Sequence, residues 1–215
     1  MKFVLRFLVI GLLSVFFIGC TNLEETFIED FSSEEFQQFS ADNRDLSSLI
    51  NSVYSGLRLP FLDQTQVWAM QEHTSDEVMG PTRGPDWDDN GIWRVLHNHT
   101  WDANHLFIRN TFRELLGGVF NSTDVLQPEF NATTEQAAEA RFLRAFIMAT
   151  VLDFWGQVPF RQPGEDLREI PEIKKEGEAV DFILQELDEI FADLPTGDAT
   201  VANQDAANAL RAKLY

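Results

Sequence analysis

The sequence predicts an all-α protein of antiparallel helix pairs joined by long irregular loops, and three observations carry this. Residues 133–159, TTEQAAEARFLRAFIMATVLDFWGQVP, read as one long helix with both ends marked. Amphipathic patterns at helical spacing lie on either side of it. The motif A-x-x-L-R-A occurs twice, at Ala140–Ala145 and Ala207–Ala212, an offset of 67 residues (207 − 140). That is close to two tetratricopeptide periods of about 34 residues, and with paired amphipathic helices it favours stacking of the tetratricopeptide kind.

The central helix organises the rest. Thr133 is placed to cap its first turn, with Gln136 at the capping-box position, and Gly156 supplies the residue that turns left-handed past its end. From Phe142 to Trp155 only Arg144, Thr150 and Asp153 are polar, so the helix is apolar nearly all round and must be covered on most sides. Ala137, Ala138, Ala140, Ala145 and Ala149 let neighbours come close, while Phe142, Phe146, Phe154 and Trp155 supply area to bury. Its neighbours should therefore be helices.

At the N-terminus, Lys2 and Arg6 precede an unbroken apolar run from Phe7 to Ile18, followed by Gly19-Cys20. This reads as a secretory signal peptide over residues 1–19. A membrane-spanning helix is the alternative, but the run is short for a bilayer and no Lys or Arg follows until Arg44. Cys20 is the only cysteine, so no internal disulfide forms, and Phe17-Ile18-Gly19-Cys20 resembles the bacterial lipobox, whose cysteine is acylated. Such acyl chains would anchor a soluble domain to a membrane surface without embedding it.

Apolar residues make up 44% and aromatics 12%, enough for a real core. Loss of residues 1–19 removes Lys2 and Arg6 and no acid, taking the formal charge from −19 to −21 (−19 − 2). A field of that sign argues against nucleic acid or anionic lipid as a partner.

Residues 21–41 are acidic with scattered phenylalanines and no sustained period, which suits a tether. Helical spacing then predicts a helix over 42–58, ended by Leu59-Pro60, and a second over 66–78. A glycine-rich polar loop follows over 80–91, and the next helical pattern runs from Ile92 to Val119, with Gly117-Gly118 near its end. After the central helix, Pro159, Pro163 and Pro171 predict an ordered loop or partly extended excursion. Glu178–Leu194 resumes helical spacing and Pro195 stops it. A last helix starts at Asp205 and carries no stop signal, as expected of the front part of a longer protein. The resulting division is a signal peptide (1–19), a lipidated N-terminus and tether (20–41), and a helical region from 42 to 215 that is incomplete at its C-terminal end.

Binding chemistry concentrates in Glu72–Trp101, where three tryptophans, three histidines, two arginines and six acids fall within thirty residues. An indole face covers the C–H face of a sugar, and Asp, Asn and Arg side chains take its hydroxyls. Trp87, flanked by Asp86, Asp88 and Asp89, is the first choice for such a platform. Trp93, His97, Trp101 and His105 lie four apart and read as a stripe on one helix face, a spacing typical of packing. The run Asp86-Trp-Asp88-Asp89-Asn90-Gly91 fits the first six positions of a calcium loop. Its twelfth position is His97 where a bidentate Glu is required, so Asn90-Gly91 reads as a turn before the helix, with calcium at Asp86, Asp88 and Asn90 as the alternative. His97, His99 and His105 lack zinc spacing, because residues two apart on a helix face different ways. Acid pairs of the kind that hydrolyse glycosides are available. No acid is isolated in an apolar setting, however, and no G-x-S-x-G, H-E-x-x-H or phosphate loop is present. The reading is a non-enzyme.

Taken together, several segments resemble the N-terminal half of SusD/RagB-type outer-membrane lipoproteins of the Bacteroidetes. They are the lipobox cysteine with Glu24-Glu25, Val53-Tyr-Ser-Gly-Leu57, Thr74-Ser-Asp-Glu77, Gly80-Pro-Thr-Arg-Gly84, Asp86–Gly91, Ala138-Glu-Ala-Arg-Phe-Leu-Arg-Ala145, Phe154-Trp-Gly-Gln-Val-Pro159 and Phe191-Ala-Asp-Leu-Pro195. The resemblance implies a helical, tetratricopeptide-containing glycan-binding protein at the cell surface, lidding a SusC-type TonB-dependent transporter and delivering oligosaccharide to it. By the same resemblance, Asp76, Arg83, Trp87, Asp88 and Trp93 match the ligand-binding loop, and no cofactor is implied. A helical protein-interaction module without glycan binding is the competing class, and a surface glycosidase the third.

Overall fold

The computed structural model describes residues 44–80 and 88–215. The signal peptide, Cys20 and the tether lie outside the described residues, as do Arg83, Asp86 and Trp87.

Helix α1 (Leu46–Gly56) begins where the Asp45 carboxylate accepts the Ser48 N–H at 3.1 Å, and it buries Leu46, Ile50 and Val53. The expected stop at Leu59-Pro60 gives way to a short helix, α2 (Arg58–Leu62). Pro60 falls in its first turn, where the missing N–H had no partner to lose. Helix α3 (Val67–Glu72) is shorter than the predicted 66–78. The Thr74 hydroxyl donates to the Met70 carbonyl and the Ser75 hydroxyl to that of Glu72, both at 2.6 Å, so side chains take over the last carbonyls and the backbone leaves the helix.

The stretch predicted as one helix from Ile92 to Val119 is two, α4 (Ile92–His97) and α5 (Leu106–Val125). Between them His99 adopts a left-handed backbone (φ 56°), and the Asp102 carboxylate accepts the Asn104 N–H at 2.8 Å. The four-residue stripe is thereby broken, and Trp101 and His105 do not continue the face of α4. Gly117-Gly118 do not end α5 either. A Cβ at Gly118 would stand 2.7 Å from Ile147 Cδ1, so this glycine lets the next helix close against α5.

That next helix, α6 (Thr134–Trp155), has the ends the sequence marks. The Gln136 N–H donates to Thr133 Oγ1 at 3.2 Å, the Thr133 N–H to Gln136 Oε1 at 3.1 Å, and Gly156 is left-handed at φ 66°. Gly118 meets Ile147 and Phe112 meets Trp155 (ring centroids 5.0 Å apart), contacts that run in opposite chain directions, so α5 and α6 are antiparallel. The partly extended excursion is a two-stranded antiparallel ribbon. Strand β1 (Gln157–Phe160) pairs with β2 (Glu172–Lys175), Gln157 facing Lys175 and Phe160 facing Glu172. Arg161 gathers the connecting loop by donating to the carbonyls of Asp166, Leu167 and Glu169. Helices α7 (Glu176–Ile190) and α8 (Gln204–Leu214) complete the described chain.

The repeated A-x-x-L-R-A has a geometric counterpart. Arg144 of α6 pairs with Glu186 of α7, and Arg211 of α8 donates to Asp188 of α7 at 2.5 Å and to the Leu187 carbonyl at 3.0 Å. Two helices thus present equivalent arginines to the one between them. Tyr54 ties three segments: its hydroxyl donates to Glu139 Oε1 and accepts the Ala202 N–H, both at 2.7 Å. The main hydrophobic core draws on α1, α5, α6, the ribbon, α7 and α8. A separate small core consists of Ala69, Trp93, Leu96 and Phe107. It sits under the stretch that the sequence marks as chemically richest.

Candidate functional site

The small core fixes Gly80 and Asp89, on either side of residues 81–87. Trp93 is 2% exposed, its indole N–H donates to Asp89 Oδ2 at 2.7 Å, and its ring lies 4.8 Å from His73 and 4.7 Å from Phe107. A Cβ on Gly80 would stand 2.8 Å from Trp93 Cβ. One tryptophan therefore holds residues on both sides of 81–87, Gly80 by close packing and Asp89 by a hydrogen bond. Trp93, which the resemblance places among the ligand-binding residues, is thus buried between the residues on either side of 81–87. The flank turns sharply, with Asp89, Asn90 and Gly91 all at positive φ (40°, 56° and 80°), backbone that asparagine and glycine tolerate best.

The remaining predicted residues are placed as follows. Asp76 is exposed in the segment after α3, and Asp88 is half-buried and paired with Arg94 at 2.9 Å. That pairing and the Trp93–Asp89 bond occupy two carboxylates of the run that resembles a calcium loop. Among the described residues no group of three or more His, Cys, Asp or Glu side chains converges as metal ligands would. His99 Nε2 sits 2.9 Å from the Thr74 carbonyl and His105 Nε2 3.1 Å from that of Ile92, so these rings serve the backbone.

Beside the small core opens a cleft of about 470 Å³ that sequence reasoning missed. Met70, Thr74, Leu96 and Ile108 line it together with Trp101, Asp102, Phe154 and Trp155. Trp101 is 39% exposed, and His99, 5.3 Å from its ring, ties the 98–102 segment to the end of α3 through the Thr74 carbonyl. Phe154 and Trp155, 5.6 Å apart, come from the last turn of the central helix. An exposed indole, further aromatic area and a carboxylate at the rim are what a flat, hydroxyl-bearing ligand needs. The signal available in the sequence was Asn98-His-Thr-Trp-Asp102, turn formers that interrupt the helical pattern just where Trp101 is released.

Histidine gives this region a pH dependence. His73 is buried and its Nδ1 has no partner among the described residues. Burial, and then the nearby His97, hold its pKa below the ordinary 6.5, with Glu72 pulling the other way. The unfolded chain takes up this proton first, so the neutral ring's contribution is intact above pH ~6.5 and is lost as pH falls through the lower folded value. Asp45, Asp63 and Asp198, whose pKa values are lowered by hydrogen bonds to nearby Ser and Thr residues, give way only below their ordinary 3.8. Urea unfolding should therefore show lower stability at pH 5 than at pH 7, with the difference reduced in His73→Gln. Equal pH dependence in the variant would remove His73 from this role.

No family model and no curated protein matches the chain. Solved structures do match it. A laminarin-binding SusD-like protein superposes with a TM-score of 0.64 at 19% identity, over 79% of this chain and 39% of that one. Surface glycan-binding protein A of Bacteroides thetaiotaomicron, solved with laminarihexaose, gives 0.61 at 19%, over 79% and 38%. Its namesake from Bacteroides uniformis gives 0.64 at 18%, over 79% and 40%. The fold is the all-α, SusD-like fold that the sequence predicts. The chain spans about two-fifths of the length of these three structures.

Proposed function

We propose that this protein is a glycan-binding lipoprotein of the outer-membrane surface that passes oligosaccharide to a SusC-type TonB-dependent transporter. The observation that carries the reading is the cleft lined by Trp101, Trp155 and Asp102 beside the small core that holds Trp93. The SusD-like fold supports it, as do the ligands of two similar structures, laminarin and laminarihexaose. Those similar structures are of binding proteins, which accords with capture and not cleavage. In this reading Asp76, Arg83, Trp87 and Asp88 belong to the ligand loop, Trp101 extends the site, and Cys20 carries the lipid. No described helix is long and apolar enough to cross a membrane.

Calorimetry tests the site. Trp101→Ala and Trp87→Ala are each expected to weaken polysaccharide binding by about tenfold or more, on the order of 1.5 kcal/mol for a lost stacking platform. Unchanged affinity in either variant removes that tryptophan from the site.

A further inference from the structure

We infer that the Trp101 cleft selects neutral, hydroxyl-rich polysaccharide and discriminates against polyanionic chains such as polyuronates; this rests on the glycan-binding reading above. The only charged side chain lining the cleft is Asp102, and no Lys or Arg lines it among the described residues. Asp102 Oδ1 accepts the Asn104 N–H at 2.8 Å, and Oδ2, without a partner among the described residues, is left to accept hydroxyl protons. A sugar carboxylate or sulfate at the same rim would meet this carboxylate with no cation to offset it.

Arg109 and Arg113 of α5 lie outside the lining of the cleft, and two other cations are engaged by carboxylates. Arg94 pairs with Asp88 at 2.9 Å, and Lys213 pairs at 3.0 Å with Asp153, next to the aromatic pair at the end of α6. The wider field has the same sign, with 35 acids against 16 Lys and Arg in the chain. The aromatic walls recognise the C–H faces of sugar rings whatever the substituents, so charge at the rim is left to discriminate.

The test is retention of the protein in affinity gels containing neutral glucans, laminarin among them, or polygalacturonate, followed by calorimetry at low and high salt. Neutral glucan should bind with an affinity that changes by less than about twofold with salt, and polygalacturonate at least about tenfold more weakly. Asp102→Lys should admit polygalacturonate, with binding that fades as salt rises. Polygalacturonate binding equal to or tighter than that of neutral glucan overturns the inference while leaving glycan capture standing. So does polygalacturonate binding that Arg83→Gln abolishes, since the loop would then supply the missing cation. Retention of no polysaccharide of either kind overturns the glycan reading and this inference with it.

Discussion

Replacing Glu186 by alanine should cost about 3–5 kcal/mol of folding stability, because it strands a buried charge. Arg144 is 3% exposed and Glu186 6%. The Glu186 carboxylate receives Arg144 on one oxygen and Arg141 on the other, at 2.7 and 3.0 Å. Arg144 also lies over the rings of Phe160 and Phe182, and its Nε and Nη1 have no partner among the described residues. Burial pulls its pKa below the usual arginine range, and Glu186 works against that pull. Without Glu186 the guanidinium has only ring faces to compensate it, whereas Arg141 keeps Glu189. Urea denaturation reads the loss directly. The double change Arg144→Met with Glu186→Leu should recover most of it, since well-packed apolar groups replace buried pairs at little cost. A loss below about 1 kcal/mol in Glu186→Ala would mean that water reaches the pair.

Trp93→Ala should cost a similar amount, about 3–5 kcal/mol, by emptying the small core. Both flanks of the polar loop would be released together, so glycan binding should fall as well. Trp93→Phe separates anchoring from ligand contact. It keeps ring area against His73 and Phe107 but removes the donor to Asp89, for an expected cost of about 1 kcal/mol. Glycan affinity should stay within about twofold in that variant. A tenfold loss of affinity at unchanged stability would instead make Trp93 a ligand contact.

The long elements were legible because their sequence signals act locally. Thr133, Gln136 and Gly156 mark the ends of α6 through hydrogen bonds and a left-handed turn that involve only near neighbours. The prolines after α6 announced the ribbon in the same way. The 92–119 stretch misled because side-chain turns at Asp102, invisible to apolar periodicity, break a pattern that looks continuous. Gly117-Gly118 misled in the opposite sense, since a glycine serving helix contact resembles one ending a helix until Ile147 is in view. The richness of 72–101 was legible as composition. Its division of labour was not: Trp93 is buried by residues from α3 and α5, and Trp101 is freed by a break in the chain, outcomes that only tertiary contact decides.

The smaller cluster holds four buried side chains drawn from α3, α4 and the start of α5, whereas the larger one spans most of the remaining helices. Prising the smaller one apart wets little apolar surface, so we expect this end to breathe at a free energy well below that of global unfolding. Amide protons of α3 and α4 would then exchange with deuterium by a subglobal route, while those in the middle of α6 wait for the whole molecule to open. A ligand bridging this end would have its affinity set partly by how much of that breathing it must quench.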